Sequence, residues 1–323
     1  MPFGAVDLIM QRLSGRLGFT VCSKKIKVSR GGREAEGYII AVLLNGRQMM
    51  DLPIEIVRQR VLDALLYAQN NLGVNVIGLG SLTTSVTDGG EWVTKQPQVK
   101  LAVTHGDTFT VAIAQEGISR IIDKYGISPK KHKAAVVGAY GLIGRELCVF
   151  LAKRCFPLVL VESIPEKIEL IKKRMIAEGM VGKIIEASTD IKTICECDLV
   201  VTATSHPAYL LQSDNIKGAA VIYDIAQPMN VSPALANKRP DVVKIDGDYV
   251  DIGEIDLNFP MGPPRGSTFA CLTETAMLAL EGDTRHHVGG IDKDFLKEVK
   301  IMGDKYGFHH APFTSFGNKL PRN

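Results

Sequence analysis

The chain has no uninterrupted apolar run of about 20 residues, the length that spans a bilayer, so no transmembrane helix is expected. Charge of one sign is scarce too: 38 Lys and Arg against 35 Asp and Glu leave a net charge of +3, too little to argue for a nucleic-acid partner. The basic clusters Lys130-Lys131-His132-Lys133 and Lys172-Lys173-Arg174 read as solvated faces, or else as docking points for an acidic partner protein. Also lacking are internal repeats and low-complexity tracts. The opening segment MPFGAVDLIMQRL carries an acid inside its apolar stretch and no basic leader, so it is not expected to act as a signal peptide. The six cysteines are few for a disulfide scaffold and, without an export signal, point to free thiols in a reducing, cytoplasmic compartment. Cys195 and Cys197 stand too close for a zinc knuckle and no His or Cys cluster completes one, so no metal is expected. Cys22, Cys148 and Cys155 sit in apolar patterns and read as packing residues.

What the chain does have is glycine in the right place. In KAAVVGAYGLIGRELCVF (Lys133 to Phe150) an apolar run meets Gly138, Gly141 and Gly144, and a helical pattern follows at once. A strand, a tight turn and a helix N-terminus in that order form a pyrophosphate cradle: free N–H groups and the positive end of the helix dipole face the anion. Gly138 would make the sharp turn, Gly141 would let backbone approach phosphate oxygens, and Gly144 would let the helix pack on the strand. Leu158 to Val161 reads as the second strand and ends in Glu162, roughly 20 residues on, where an acid grips a ribose hydroxyl. A nucleotide cofactor is the working expectation, against the plainer reading of a glycine turn in an ordinary α/β domain.

The 323 residues suffice for about two domains. Gly37–Leu44, Val74–Leu79 and Val99–Thr104 read as strands, Pro53–Leu72 and Phe109–Tyr125 as helices, and Gly80–Ser85 as a loop. From Lys133 strands and helices alternate: Ala134–Val137, Ile143–Lys153, Leu158–Val161, Pro165–Glu178, Lys183–Glu186, Leu199–Thr202 and Val221–Asp224. Alternation of this kind implies α/β architecture, a Rossmann-type doubly wound parallel sheet with helices on both faces. The expected divisions are an N-terminal α/β substrate domain (1–125), a dinucleotide-binding domain (126–250) and a C-terminal helical segment (251–323). Ligands in such sheets bind at the carboxyl ends of strands. The cofactor candidates are therefore Gly138, Ala139, Tyr140, Gly141, Leu142, Ile143, Gly144, Glu162, Ser163, Thr204, Ser205 and Ile225.

MGPPRGSTFACLTETAMLAL (Met261 to Leu280) is the second informative stretch. Pro263, Pro264 and Gly266 forbid regular structure, Ser267 or Thr268 suits an N-cap, and Phe269, Leu272, Ala276 and Leu280 suggest an apolar stripe. Cys271 then falls in the first helical turn, where the dipole and free N–H groups favour a thiolate. Catalysis and simple packing both fit that position.

Phe269-Ala-Cys271 with Glu274, Ala276-Met-Leu278 and Glu281-Gly282 resembles the cysteine segment of the long-chain acyl-(acyl-carrier-protein) reductases, which form fatty aldehydes. The glycine loop Gly138–Gly144, Gly106-Asp107-Thr108-Phe109-Thr110, Gly80–Ser85 and the tail Lys305–Phe308 are similar to further elements of that family, in the same order along most of the chain. The resemblance implies a catalytic Cys271 that takes the acyl group from a fatty acyl thioester, a hydride from NADPH or NADH, and acyl carrier protein or coenzyme A as carrier. It leaves a homo-oligomer open. Ser205 and His206 are candidate side-chain helpers. Departures are Tyr140 and Leu142 in the glycine loop, and Glu162 where the family has a basic residue suited to a 2′-phosphate, a change that favours NAD(H). Two rivals stay open. Val200–Ser205 and Val221–Ala226 also resemble glutamyl-tRNA reductase and the shikimate dehydrogenases, and a dinucleotide-binding protein without chemistry would keep the same fold.

Overall fold

A computed structural model describes residues 18–180, 182 and 184–320. The expectation for the opening segment, and a strand start at Lys183, lie outside them. The chain divides into two units. One runs to Phe109 and resumes over Asp251–His309; the other is Thr110–Val250 with the residues from His310 onward.

The second unit is built on six parallel strands in the order Ile184–Ser188, Leu158–Val161, Ala134–Val137, Leu199–Thr202, Val221–Asp224, Val243–Asp246. Counted along the chain this is 3-2-1-4-5-6, the Rossmann order, with its switch between Ala134–Val137 and Leu199–Thr202. The four strands nearest the switch, AAVV, LVLV, LVVT and VIYD, are buried at every residue, as strands covered on both faces must be. Their side chains alternate between two cores. Ala134, Val136, Leu158, Leu160, Leu199 and Val201 meet Ile118 and Ile121 of the helix Asp107–Tyr125, Leu147 and Leu151 of Leu142–Lys153, and Ile171 and Met175 of Pro165–Ala177. On the opposite face Ala135, Val137, Val159, Val161 and Val200 meet Ile194, Leu211 and Leu235. Among the described residues that face carries a short 3₁₀ turn, loops and the six-residue helix Pro233–Lys238. The edge strand Val243–Asp246 was not foreseen. It holds a buried Lys244–Asp246 ion pair, and the carboxylate also accepts Thr314 Oγ1 (2.6 Å) and the Gly317 N–H (2.9 Å), tying the C-terminal residues to the sheet.

In the first unit the strands Val76–Gly78 and Ala102–Thr104 pair in parallel, and the helix Ile54–Asn71 contributes Val57, Val61 and Leu65 to a core with Leu79, Leu101 and Val103. The run Gly37–Leu44 is not one strand. Arg33–Gly37 forms a hairpin with Ile26–Arg30, and Ile40–Val42 pairs with Phe19–Val21. Residues expected as the loop Gly80–Ser85 instead enter a short helix, Leu82–Val86. The amphipathic helix Lys293–Tyr306, within the segment 251–323 expected to be helical, is buried through Phe295, Val299 and Tyr306. Among the described residues no helix is long and apolar enough to cross a membrane.

Candidate active site

The glycine loop of the second unit has the geometry its sequence implies. Gly138 turns at φ +82°, a conformation that disfavours any side chain, and a Cβ there would stand 2.6 Å from the Ala203 carbonyl oxygen. The turn leaving the first strand therefore touches the turn leaving the fourth, at the switch of the sheet. A Cβ on Gly144 would lie 2.1 Å from the Gly138 carbonyl oxygen, so the helix is pressed onto the turn as closely as backbone permits. Gly141 differs. Its φ is −55°, it caps the helix Leu142–Lys153 without a side-chain cap, and an added Cβ would meet nothing nearer than 3.4 Å. Gly138 and Gly144 are thus packed against backbone, while Gly141 has room for ordinary contact at the helix start, where backbone N–H groups suit an anion.

Glu162 ends the second strand nearly buried. Its carboxylate accepts the Tyr140 N–H at 3.3 Å and the Ser163 N–H at 3.0 Å. Ser163 Oγ also donates to it, at 3.3 Å. Gly138, Ala139, Tyr140, Glu162 and Ser163 are thus brought together. The Lys167 Nζ stands 5.7 Å from the Tyr140 ring. Thr204 turns its hydroxyl to Asn230 Oδ1 (2.8 Å), while Ser205 and His206 are exposed and the His206 Nδ1 accepts the Ala208 N–H at 3.2 Å. Ile225 is 4% exposed and belongs to the core. The residues present fit a dinucleotide: a phosphate cradle that a Cβ would close, with an acid at the adjacent strand end.

Cys271 belongs to the first unit, in the opening turn of the helix Ala270–Glu281, half-buried. Neither Ser267 nor Thr268 caps that helix, because Ser267–Phe269 is a short strand and Phe269 takes the cap position. Nor is the buried face the expected stripe. Ala270, Thr273, Glu274, Met277 and Leu278 face inward with Leu280, the one member of that stripe to be buried, while Phe269, Leu272 and Ala276 are half-exposed. Two glycines let this helix approach the parallel pair. A Cβ on Gly78 would overlap Thr275 Oγ1 at 1.9 Å, and one on Gly106 would stand 2.4 Å from the Cys271 Cβ. Gly106 (φ +75°) lies just beyond the strand Ala102–Thr104, so the cysteine turn is seated on backbone at a strand's carboxyl end.

Glu274, one turn after Cys271, was noticed only through the resemblance. It is fully buried and accepts the Thr104 hydroxyl and the Phe109 N–H (2.6 Å). Burial pushes its carboxyl up to about 7 against the bonds it receives from Thr104, Phe109 and Gly106. An acid in the middle of a helix whose neighbours Met277 and Leu278 are buried was the signal that could have found it. Of the other cysteines, Cys148 is buried as expected, and desolvation raises its thiol pKa. Burial pushes Cys197 up to about 12. Cys155 is a correction: it sits exposed at φ +64°, where the chain leaves the helix, and packs nothing.

A family model, Shikimate / quinate 5-dehydrogenase, matches residues 121–248. This stretch falls wholly within the second unit. The second unit has the Rossmann fold of the NAD(P)-dependent oxidoreductases. The long-chain acyl-[acyl-carrier-protein] reductase of Synechococcus elongatus is 24% identical over 90% of this chain and 85% of its own length. The bifunctional protein FolD of Mycoplasmopsis synoviae is 27% identical over 37% of this chain and 34% of its own. Among solved structures, quinate dehydrogenase from Corynebacterium glutamicum in complex with NAD is 12% identical, covers 44% of this chain and 51% of that chain, and has a TM-score of 0.34.

Proposed function

We propose that the chain is a nicotinamide-dependent acyl-thioester reductase that releases a fatty aldehyde. The observation that carries the reading is the seat of Cys271, a half-buried thiol on the opening turn of a twelve-residue helix, packed on the Gly106 backbone. A packing cysteine needs no such turn. A nucleophile gains from it, because the dipole and N–H groups of an opening helical turn stabilise a thiolate. The likeness to an acyl-[acyl-carrier-protein] reductase along most of both chains supports the same chemistry.

In this reading the Cys271 thiolate attacks the carbonyl of a fatty acyl thioester, the new C–S bond forms, and the carrier leaves as a thiol after taking up a proton. Bound NADH or NADPH supplies the hydride that reduces the enzyme thioester. The resulting thiohemiacetal then loses its hydroxyl proton and expels Cys271 as thiolate, freeing the aldehyde. The helix-turn N–H groups around Cys271 are the chain's own donors for the oxygen that becomes negative in each addition. The Gly138–Gly144 turn would hold the pyrophosphate and Glu162 the adenosine ribose, which favours NADH over NADPH because an acid repels a 2′-phosphate.

A second reading, a shikimate-type alcohol dehydrogenase, is favoured by the match over 121–248 and requires no cysteine. Intact-protein mass spectrometry after incubation with a fatty acyl thioester separates the two. Wild type should gain one acyl mass and Cys271→Ser none, with dinucleotide affinity unchanged. Equal adducts on both proteins would remove Cys271 from its role, and undiminished hydride transfer by the serine variant would favour the alcohol dehydrogenase.

A further inference from the structure

We propose that Glu274 is a positioning residue for Cys271, its buried carboxylate gathering the 104–109 turn beneath the thiol's own helical turn. The catalytic consequence rests on the acyl-thioester reading; the effect on the thiol does not.

The geometry is a closed linkage within the first unit. Glu274 lies three residues after Cys271, so both project from adjacent turns on neighbouring parts of the helix surface. One partner on the facing segment is a side chain, Thr104 Oγ1, which also accepts the Gly106 N–H at 3.1 Å. Another is the Phe109 N–H at 2.6 Å, in the first turn of the helix Asp107–Tyr125. Between these two anchors runs Gly106, the residue whose backbone meets Cys271. The carboxylate thus fixes both ends of the short segment on which the sulfur-bearing turn rests. An apolar residue would pack that helix face equally well and would leave the Thr104 hydroxyl and the Phe109 N–H without this acceptor, a cost that explains an acid on the buried face of the helix.

The carboxyl also titrates close to neutrality, near 7, through burial. Ionisable groups on the elements around it include His105 and Asp107 on the turn, His287 on the segment bridged to Thr104, Cys271 and Glu281 on its own helix, and Arg33, Lys305 and Tyr306 on the strand and helix packed against it, these three all bound to Glu281. His105 is buried, with Nδ1 accepting the Asp107 N–H at 2.9 Å, and burial lowers the pKa of His287.

The test is the rate of iodoacetamide alkylation of Cys271 from pH 5 to 10, read by peptide mass spectrometry because Cys155 and Cys195 are also exposed. Wild type should show an inflection near pH 7 below that of the thiol itself. Glu274→Gln should lose it, Thr104→Val should weaken it, and Thr104→Ser should restore it. His105→Asn should keep it. Alongside, kcat for an acyl thioester should fall roughly ten- to a hundredfold in Glu274→Gln, with KM and NADH affinity little changed, as for a misplaced nucleophile. An identical alkylation profile in Glu274→Gln, or an inflection that disappears with His105→Asn instead, overturns the proposal. Should Glu274→Gln fail to fold, the Thr104→Val and Thr104→Ser pair decides on the same readout. If wild type reduces no thioester yet the profiles shift as expected, the function falls and the positioning role stands; if wild type is active and no profile shifts, the reverse holds.

Discussion

Gly106 and Cys271 meet so closely that a Cβ on the glycine would stand 2.4 Å from the cysteine Cβ and 2.6 Å from its Cα. Nothing flexible intervenes, because two of the three nearest atoms are backbone. Gly106→Ala should therefore push the cysteine turn outward, and the φ of +75° adds strain of roughly 1 kcal/mol or more for any side chain. The expected result is a melting temperature several degrees lower and a loss of acyl-adduct formation larger than that drop explains. An alanine variant that acylates at the wild-type rate would show that the close seat is packing alone.

The glycine loop offers an internal contrast. Gly141→Val has an ordinary φ, and its Cβ would make only ordinary contacts with the Gly138 and Ala203 carbonyl oxygens, at 3.4 and 3.5 Å, so the protein should fold, while the branched side chain crowds the helix start whose N–H groups would take the pyrophosphate. Dinucleotide affinity, followed by quenching of NADH fluorescence, should drop at least about a hundredfold with the melting curve nearly unchanged. Gly144→Ala should behave oppositely, destabilising the second unit because its Cβ would fall 2.1 Å from the Gly138 carbonyl oxygen. Equal effects of the two substitutions on stability would break this division of labour.

Much of this was legible in the chain itself, for a physical reason. Buried parallel strands must be apolar at every position, so AAVV, LVLV and LVVT declare themselves, and a phosphate turn has little choice but glycine. The edge strand Val243–Asp246 hid because its Lys244 and Asp246 are polar and are buried as a pair that distant residues, Thr314 and Gly317, help to satisfy. The capping error at Ser267 has a similar origin. A residue type suited to a cap was instead drawn into a strand, and the helix began three residues later at Ala270, with Phe269 in the cap position and no side-chain cap. Glu274 escaped a functional assignment because its partners, Thr104 and Phe109, are some 170 residues away in the chain and no local pattern announces them.

Cofactor preference should turn on Glu162. Its carboxylate lies at the strand end against the Tyr140 and Ser163 N–H groups, where an adenosine ribose is held in folds of this order. Glu162→Arg removes a charge that repels a 2′-phosphate and supplies a guanidinium that binds one. The ratio of NADPH to NADH affinity, measured by calorimetry without any substrate, should rise at least about tenfold. A ratio that stays put would mean that the acid serves only the loop backbone.

Two buried groups give stability opposite slopes with pH, one in each unit. His310 lies against Tyr223 Oη (2.9 Å) and Arg120, with its backbone N–H on Glu116, and burial and the guanidinium hold its imidazole down at about 4. A depressed folded value means that its contribution is complete above the unfolded value near 6.5 and is lost as pH falls toward 4. Between pH 7 and pH 5 that loss is about 2 kcal/mol. Glu274, raised to about 7, works the other way: its contribution is complete below the unfolded value near 4.5 and is lost as pH rises through 7. His310→Gln keeps polar partners for Arg120 and Tyr223 but cannot charge, so the second unit should lose less stability than wild type on acidification from pH 7 to 5. Glu274→Gln should flatten the first unit's decline from pH 5 to 8. Hydrogen exchange resolved by peptide reads the two units separately, which whole-protein melting would average. If His310→Gln left the acid sensitivity of the 110–250 peptides as steep as in wild type, protonation of the imidazole would not be what weakens that unit in acid.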